Sequence, residues 1–482
     1  MRYVSVFFIL LIAGCNLSSR YSRPEMDIGE SYRFTFSETS EYANVSWWKQ
    51  LNDPILDELI QTAIENNQDL KVATARVMEF YARYKVVFSQ FFPEINGQGN
   101  LDRIKLSEDI NYQPLVPLVP RINNLYSLFM SLSYEIDFWG RIRNESESAK
   151  SIYLSQVDAR RNVILSLVTS LASAYIQLKQ LDAQLNISIN TYNTRVEAWN
   201  IAKLRFEGGL VSELDVKQAQ SEALIAQLQI KNFEAFVATQ EDLISVLLGK
   251  APGPIPRGCL LSDLVLPPTI PSGLPSDLLE NRPDILQAEE RIIAANADVG
   301  VARSAFFPKI TLSGADGQRS TSLDNFFKDS ANLFDFGMQA FQPLFTGWRL
   351  TNQLSETEAV LLEAIHNYQQ TILVALQEVN DALIDHQKSK EKIGIQRERV
   401  AALQTYLKLA KLRYFNGQND YLTVLNAESG LFAAQLEEVS TEAGLYLSLI
   451  SIYKSLGQGW NIPEAYEDPK TGETSSECDP CN

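Results

Sequence analysis

From Ile164 onward the apolar positions fall at Leu167, Leu171, Ala174, Leu178, Leu181 and Leu185. They step three and four residues without a slip, which is the spacing of a coiled-coil seam. Ile372, Ala375, Val379 and Ala382 set a second seam and put His386 next on it. Each seam lies in a run without Gly or Pro, and a helix filling residues 141–207 would be on the order of 100 Å long. An earlier amphipathic stretch opens at Asp53-Pro54, carries Ile55, Leu56, Leu59, Ile60, Ala63 and Ile64 along one side, and reads as one helix to Phe91, where Phe92-Pro93 ends it. Between the helical runs the period changes to two. Tyr126, Leu128, Met130, Leu132, Tyr134 and Ile136 alternate with Ser127, Phe129, Ser131, Ser133 and Glu135, which predicts a strand with one apolar and one mostly polar face. Ile95–Leu106, Ile310–Arg319 and Leu333–Phe345 are the matching segments, giving one hairpin per half, with loops near 107–122 and 320–332.

The chain states its plan twice. Leu204–Ser221 (LRFEGGLVSELDVKQAQS) recurs as Leu412–Ser429 (LRYFNGQNDYLTVLNAES), and Phe91, Phe92, Pro93 and Ile95 recur as Phe306, Phe307, Pro308 and Ile310. Pairing over most of the chain marks a structural repeat. The first half has a longer insertion after its Phe-Phe-Pro, assigned to the LVPLVP run at 115–120. The resulting division is a segment 1–14, a tether 15–51, repeat 1 at 52–249, a proline-rich linker 250–283, repeat 2 at 284–460 and a polar tail 461–482. The fold class is mainly α with a small β part. Four strands cannot close a barrel alone and open edges are not tolerated in lipid, so a membrane role requires several chains to share one barrel.

The net charge of −17 argues against nucleic acid as a partner, because neutralising phosphates needs clustered Lys and Arg. Arg2, the apolar Val4–Ala13 and the ending Leu11-Ile12-Ala13-Gly14-Cys15 form an export signal, residues 1–14, whose ending resembles a bacterial lipobox and so implies Cys15 as the lipid-attachment residue. Cys478 and Cys481 read as a local disulfide rather than a zinc site, and neither they nor Cys259 is assigned a role. The two histidines, His366 and His386, lie within one predicted helix, and no hydrolase, zinc-protease or phosphate-loop motif occurs. Neither enzyme chemistry nor a cofactor or metal site is expected.

The signal ending in Cys15, LNDPILDELI, the two Phe-Phe-Pro segments, FWGRI, RPDILQAEERI, the paired turns and the terminal YKSLGQGW together resemble the TolC-like outer-membrane factors of tripartite efflux pumps, particularly their lipoprotein branch. The resemblance runs from Cys15 to about Trp460. It implies a homotrimer lipid-anchored in the outer membrane, with a shared 12-stranded outer-membrane β-barrel and an α-barrel of coiled-coil hairpins extending into the periplasm. It also implies a periplasmic adaptor and an inner-membrane pump as partners. On this reading the chain is a passive export duct for drugs or other toxic small molecules; cargo, pump and adaptor are not legible. The paired turns become the periplasmic gate. Asp215 matches the family's first-repeat Asp and Tyr414 an aromatic it can bond, while Thr423 and Asn426 stand where such channels commonly have Asp, and Ser429 where the lipoprotein branch commonly has Arg. Leu422 is available as an apolar plug, so a hydrogen-bonded tie and a plug are both open. A non-channel coiled-coil structural or adhesion lipoprotein of the envelope is the alternative, and the alternating Tyr126–Ile136 strand with its counterpart in the second repeat favours the channel.

Overall fold

The computed structural model describes residues 21–24, 26, 32, 46–105, 107, 122–266 and 275–460. The signal, Cys15, the 115–120 insertion and the tail with Cys478 and Cys481 lie outside them. In chain order the main elements are α1 (Pro54–Asn66), α2 (Gln68–Phe88), β1 (Glu94–Lys105), β2 (Ile122–Ile136), α3 (Arg141–Glu207), α4 (Glu213–Leu247), α5 (Pro283–Ser304), β3 (Lys309–Ser320), β4 (Asn332–Phe341), α6 (Arg349–Phe415) and α7 (Tyr421–Ser455).

The duplication is exact in element length where it counts most. Helices α3 and α6 are both 67 residues and α4 and α7 both 35. All four end in the same way. Gly209, Gly249, Gly417 and Gly457 adopt φ of 68–72°, and the residue after each glycine donates its N–H back to the carbonyl five residues earlier, as in Leu210 to Arg205 at 2.8 Å and Gln418 to Arg413 at 2.9 Å. This left-handed C-terminal cap satisfies carbonyls that the helix leaves orphaned, and glycine adopts it without a Cβ clash.

The predicted single helix from Asp53 to Phe91 is two helices. Asn67 breaks it because its side chain starts a new one, with Oδ1 accepting from the Leu70 N–H at 3.0 Å, while Nδ2 donates to the Leu247 carbonyl at the end of α4 at 2.9 Å. Arg282 performs the corresponding docking in repeat 2, donating to the Ser455 carbonyl at 2.8 Å and to Asp284 and Glu378. A Cβ on Gly249 would lie 2.3 Å from the Asn66 carbonyl oxygen, so the α4 cap and the α1–α2 break are fitted to one another.

Two compact units divide the chain, and each draws on both repeats. In the helical unit the core joins Trp47, Leu51, Leu56 and Ile60 to the α3 seam at Ile164, Leu167, Leu171, Ala174 and Leu178 and to Ile450 and Tyr453 of α7. Leu181 and Leu185 complete the predicted seam only half-buried, whereas Ile372, Ala375, Val379, Ala382 and His386 are all buried. His386 is structural as expected, with Nδ1 3.0 Å from the Ser448 hydroxyl. Trp47 and Trp48, read as part of a tether, are core residues, and Trp47 stacks on Tyr453 at 5.1 Å.

A buried charge network fastens α1. Asp53 caps the helix by accepting from Ile55 N–H at 3.0 Å, and its other oxygen pairs with Lys179 Nζ at 2.9 Å and accepts from Tyr175 Oη at 3.2 Å and Cys259 Sγ at 3.4 Å. Lys179 also donates to the Cys259 carbonyl, and Gly258 N–H donates to Tyr175 Oη. Burial would raise the Asp53 carboxyl, but the Lys179 ammonium and the other donors hold it below the ordinary carboxylate value.

In the other unit the four strands form one antiparallel sheet in the order β1-β2-β3-β4. The two hairpins expected from sequence are joined by pairing of β2 with β3, from Tyr126 opposite Ser320 to Ile136 opposite Ile310. Strand β4 stops at Phe341, short of the predicted Phe345, because Pro343 cannot donate to a ladder. Residues directly opposite share a face. One face therefore carries Ile95, Tyr126, Leu128, Met130, Leu132, Tyr134, Ile310, Leu312, Phe334, Phe336 and Met338, with Asp316, Gln318 and Asn332 toward its loop end, and the other Asn96, Gln98, Ser127, Ser131, Ser133, Glu135, Thr311, Ser313, Arg319 and Asp335, with Phe129 and Leu333 among them. At the strand-to-helix junction Asp137 accepts from the Ile142 and Arg143 N–H groups, both at 3.0 Å, and Arg141 grips Glu135 and Glu145 at 2.7 and 2.6 Å.

Asp53→Asn leaves Lys179 buried without its counter-charge, and should cost about 3–5 kcal/mol of unfolding free energy, read as a lowered melting temperature by circular dichroism. Because the Asp53 pKa is depressed by folding, its stabilisation is fully present above its unfolded value of about 4 and is lost as pH falls through the lower folded value, so the wild-type margin over the Asp53→Asn variant should shrink only in acid.

Candidate functional site

The paired turns lie together in the helical unit. Ala202 of α3, Val216 and Ala219 of α4, Ala410 of α6 and Tyr421, Val424, Leu425 and Ala427 of α7 form a small core of their own, with Trp199, Leu407 and Tyr414 packed on it. Small residues at 202, 219, 410 and 427 let the two hairpins approach closely. Asp420 caps α7 by accepting from the Thr423 N–H at 3.1 Å and its hydroxyl at 2.7 Å, and those bonds hold its carboxyl below the usual range. Thr423, which stands where an Asp was sought, thus serves the cap.

The structure places Asp215 in the first turn of α4, where the positive end of the helix favours a carboxylate. Tyr414 is near it: burial raises the phenol pKa, the Asp215 charge adds to the rise and Arg205 opposes it. No hydrogen bond joins the two within the chain. Tyr414 instead has the Arg205 guanidinium 5.2 Å from its ring centre and the Tyr421 ring at 5.3 Å. Leu422 and Asn426 are exposed, each one helical step from buried Tyr421 and Leu425, so they project from the bundle. Leu214, the repeat-1 counterpart of Leu422, is exposed as well.

Sequence reasoning missed the charges that fasten this region. Arg195 of α3, with a side chain only 3% exposed, pairs with Glu222 of α4 at 3.0 Å, donates to the Glu222 carbonyl at 2.9 Å and reaches the Ser429 hydroxyl of α7 at 3.3 Å. Ser429 in turn donates to Glu222 at 3.0 Å. Lys411 and Glu428 form a second tie at 2.8 Å, between α6 and α7. The substitution noted at Ser429 was the available signal.

Among the described residues no group of acidic, His and Cys side chains could hold a metal ion, and no helix is long and apolar enough to cross a membrane. The family model for outer membrane efflux proteins matches residues 59–250 and 274–458. The toluene efflux pump outer membrane protein TtgF of Pseudomonas putida is 33% identical over 474 residues, covering 95% of this chain and 97% of the relative. The cation efflux system protein CusC of Escherichia coli O157:H7 is 30% identical over 456 residues, covering 94% and 97%. The crystal structure of CusC superposes with a TM-score of 0.83 at 29% identity over 92% of this chain and 100% of that one. The open-state Neisseria gonorrhoeae MtrE outer membrane channel gives 0.84 at 25% identity over 92% and 99%.

Arg195→Ala removes charge-assisted bonds worth about 1–3 kcal/mol from between the hairpins. Amide hydrogen exchange in residues 204–216 and 412–424 should quicken by roughly tenfold or more, while exchange in the Asp53–Lys179 core stays unchanged.

Proposed function

The chain belongs to the outer membrane efflux protein family, and on that premise we propose that three copies share one barrel through which drugs or other toxic small molecules leave the cell. It is an outer-membrane export channel and a passive duct, not an enzyme. The observation that supports a shared barrel is the sheet: four strands, one mainly apolar and one mainly polar face, and, among the described residues, two unpaired edges, β1 and β4; the number three follows the trimeric channels that the chain resembles. In lipid every backbone N–H and C=O must be paired, so β1 of one copy takes β4 of the next and the apolar faces turn outward. Twelve strands around polar walls leave an aqueous lumen. The four long helices of each copy continue the wall into the periplasm, where an adaptor and an inner-membrane pump supply cargo and energy.

Cys15 carries lipid and anchors the mature N-terminus to the membrane. Mass spectrometry of the purified protein should find an acylated N-terminal peptide beginning at Cys15, and a mature protein beginning elsewhere or bearing an unmodified Cys15 would contradict this. Durable attachment needs two chains or more, and a Cys15→Ser form should still assemble through its barrel.

The gate lies at the paired turns. With no Asp215–Tyr414 bond made within the chain, and with Thr423 and Asn426 in place of carboxylates, closure rests chiefly on apolar packing of Leu422. In planar bilayers Leu422→Ser should raise single-channel conductance several-fold, and Asp215→Ala with Tyr414→Phe should raise it less. Asn426→Asp should introduce block by divalent cations, by placing a ring of carboxylates at the constriction. A double mutant that opens the channel as fully as Leu422→Ser would instead assign closure to the tie.

A further inference from the structure

The two repeats differ by an exchange at the strand-to-helix junction. Repeat 1 reads Trp139-Gly140-Arg141 and repeat 2 reads Gly347-Trp348-Arg349. Trp139 is turned inward, stacked on Phe307 at 4.6 Å with its indole N–H donating to the Pro308 carbonyl at 3.0 Å. Trp348 takes the place where repeat 1 has a glycine at φ 78°, and it holds φ 66° itself. It is one of two non-glycine residues with positive φ among the described residues. A bulky side chain in this region is strained, and the indole is 76% exposed. Beside it Leu344 is 95% and Phe345 88% exposed.

We propose that Leu344, Phe345 and Trp348 form an anchor that inserts into the glycerophospholipid interface at the periplasmic side of the outer membrane. This rests on the reading of the apolar sheet face as lipid-facing. Along β4 that face is apolar only from Phe334 to Ala340, a span of roughly 23 Å at ~3.3 Å per residue, whereas a tilted strand needs about 9–11 residues to cross. The shortfall cannot be made up at the loop end, because Asn332 and Gln318 pair there and Asp316 lies opposite Phe334. On β1 and β2 the same face continues through Leu128, Tyr126 and Leu101. The missing apolar height of β4 is therefore supplied at the helix end by 344–348. The anchor's chemistry fits the headgroup boundary rather than a second copy of the chain. An indole with an apolar body and a polar N–H suits that boundary, and exposed Arg349 donates to Gln353 at 3.0 Å rather than to a carboxylate, leaving its charge for lipid phosphate.

The test is tryptophan quenching in the full-length assembly, in nanodiscs of phosphatidylethanolamine and phosphatidylglycerol with acyl chains brominated near the headgroup. The fluorescence lost in Trp348→Phe isolates Trp348 from the other five of the six tryptophans. Brominated lipid should cut that component roughly in half, as for an interfacial indole. A component untouched by bromine, whether quenched by aqueous acrylamide or shielded from both, would overturn the anchor in favour of water or a neighbouring copy. Phe336→Trp in the Trp348→Phe background separates the two readings. If the indole introduced at position 336 is quenched and Trp348 is not, the anchor alone fails, and if it is unquenched the lipid-facing sheet fails and the anchor with it. Should Trp348→Phe not fold, Trp348→Gly relieves the backbone and serves the same subtraction.

Discussion

A β-strand edge in hydrocarbon has nowhere to send its N–H and C=O groups. That constraint governs this chain. Its sheet pairs β1 to β2, β2 to β3 and β3 to β4, and among the described residues leaves the outer edges of β1 and β4 open. The polar face with Asn96, Gln98, Ser131 and Ser133 rules out burial against an apolar core, and the face with Leu128, Met130, Phe334 and Phe336 rules out leaving the other side in water. Closure with further copies reconciles both. The junction clamps at Asp137 and Arg141 then fix the direction in which α3 leaves β2.

Duplication supplies the symmetry that such a closure needs, and divergence supplies its particular properties. The helix lengths, the glycine caps and the docking of each opening helix on the end of the returning one are held in common. What differs is how the same joint is satisfied: Asn67 makes a neutral bond to Leu247, Arg282 a charged one to Ser455. The Asp53–Lys179 pair, fastened further by the linker at Gly258 and Cys259, belongs to the first repeat and the linker. At the turns Asp215 of repeat 1 is matched by Thr423 in repeat 2, and the charged pair that ties this region lies elsewhere, between Arg195 and Glu222.

The helices were legible because their signals are local. Gly208-Gly209 punctuates long Gly-free and Pro-free runs, Gly417 repeats that break in the second copy of the turn, and the seam from Ile164 to Leu178 needs no knowledge of its partner. The alternation in Tyr126–Ile136 was legible for the same reason. What escaped was long-range. Pairing of β2 with β3 joins segments more than 170 residues apart and leaves no mark in either. Asn67 ended a helix through its own cap and a carbonyl at Leu247, Trp47 entered the core by stacking on Tyr453, and Arg195 found Glu222 and Ser429 on two other helices. At the turns residue types pointed to the region, but which of them touch could not be read from spacing.

The claim on which the rest depends is that folding of the sheet and assembly of copies are one event. Native mass spectrometry of the detergent-solubilised protein, with circular dichroism of each species, measures this directly. The account predicts that every species retaining β-structure is a trimer and that dissociation abolishes the strand signal. A stable monomer that keeps its folded four-stranded sheet in detergent would contradict it.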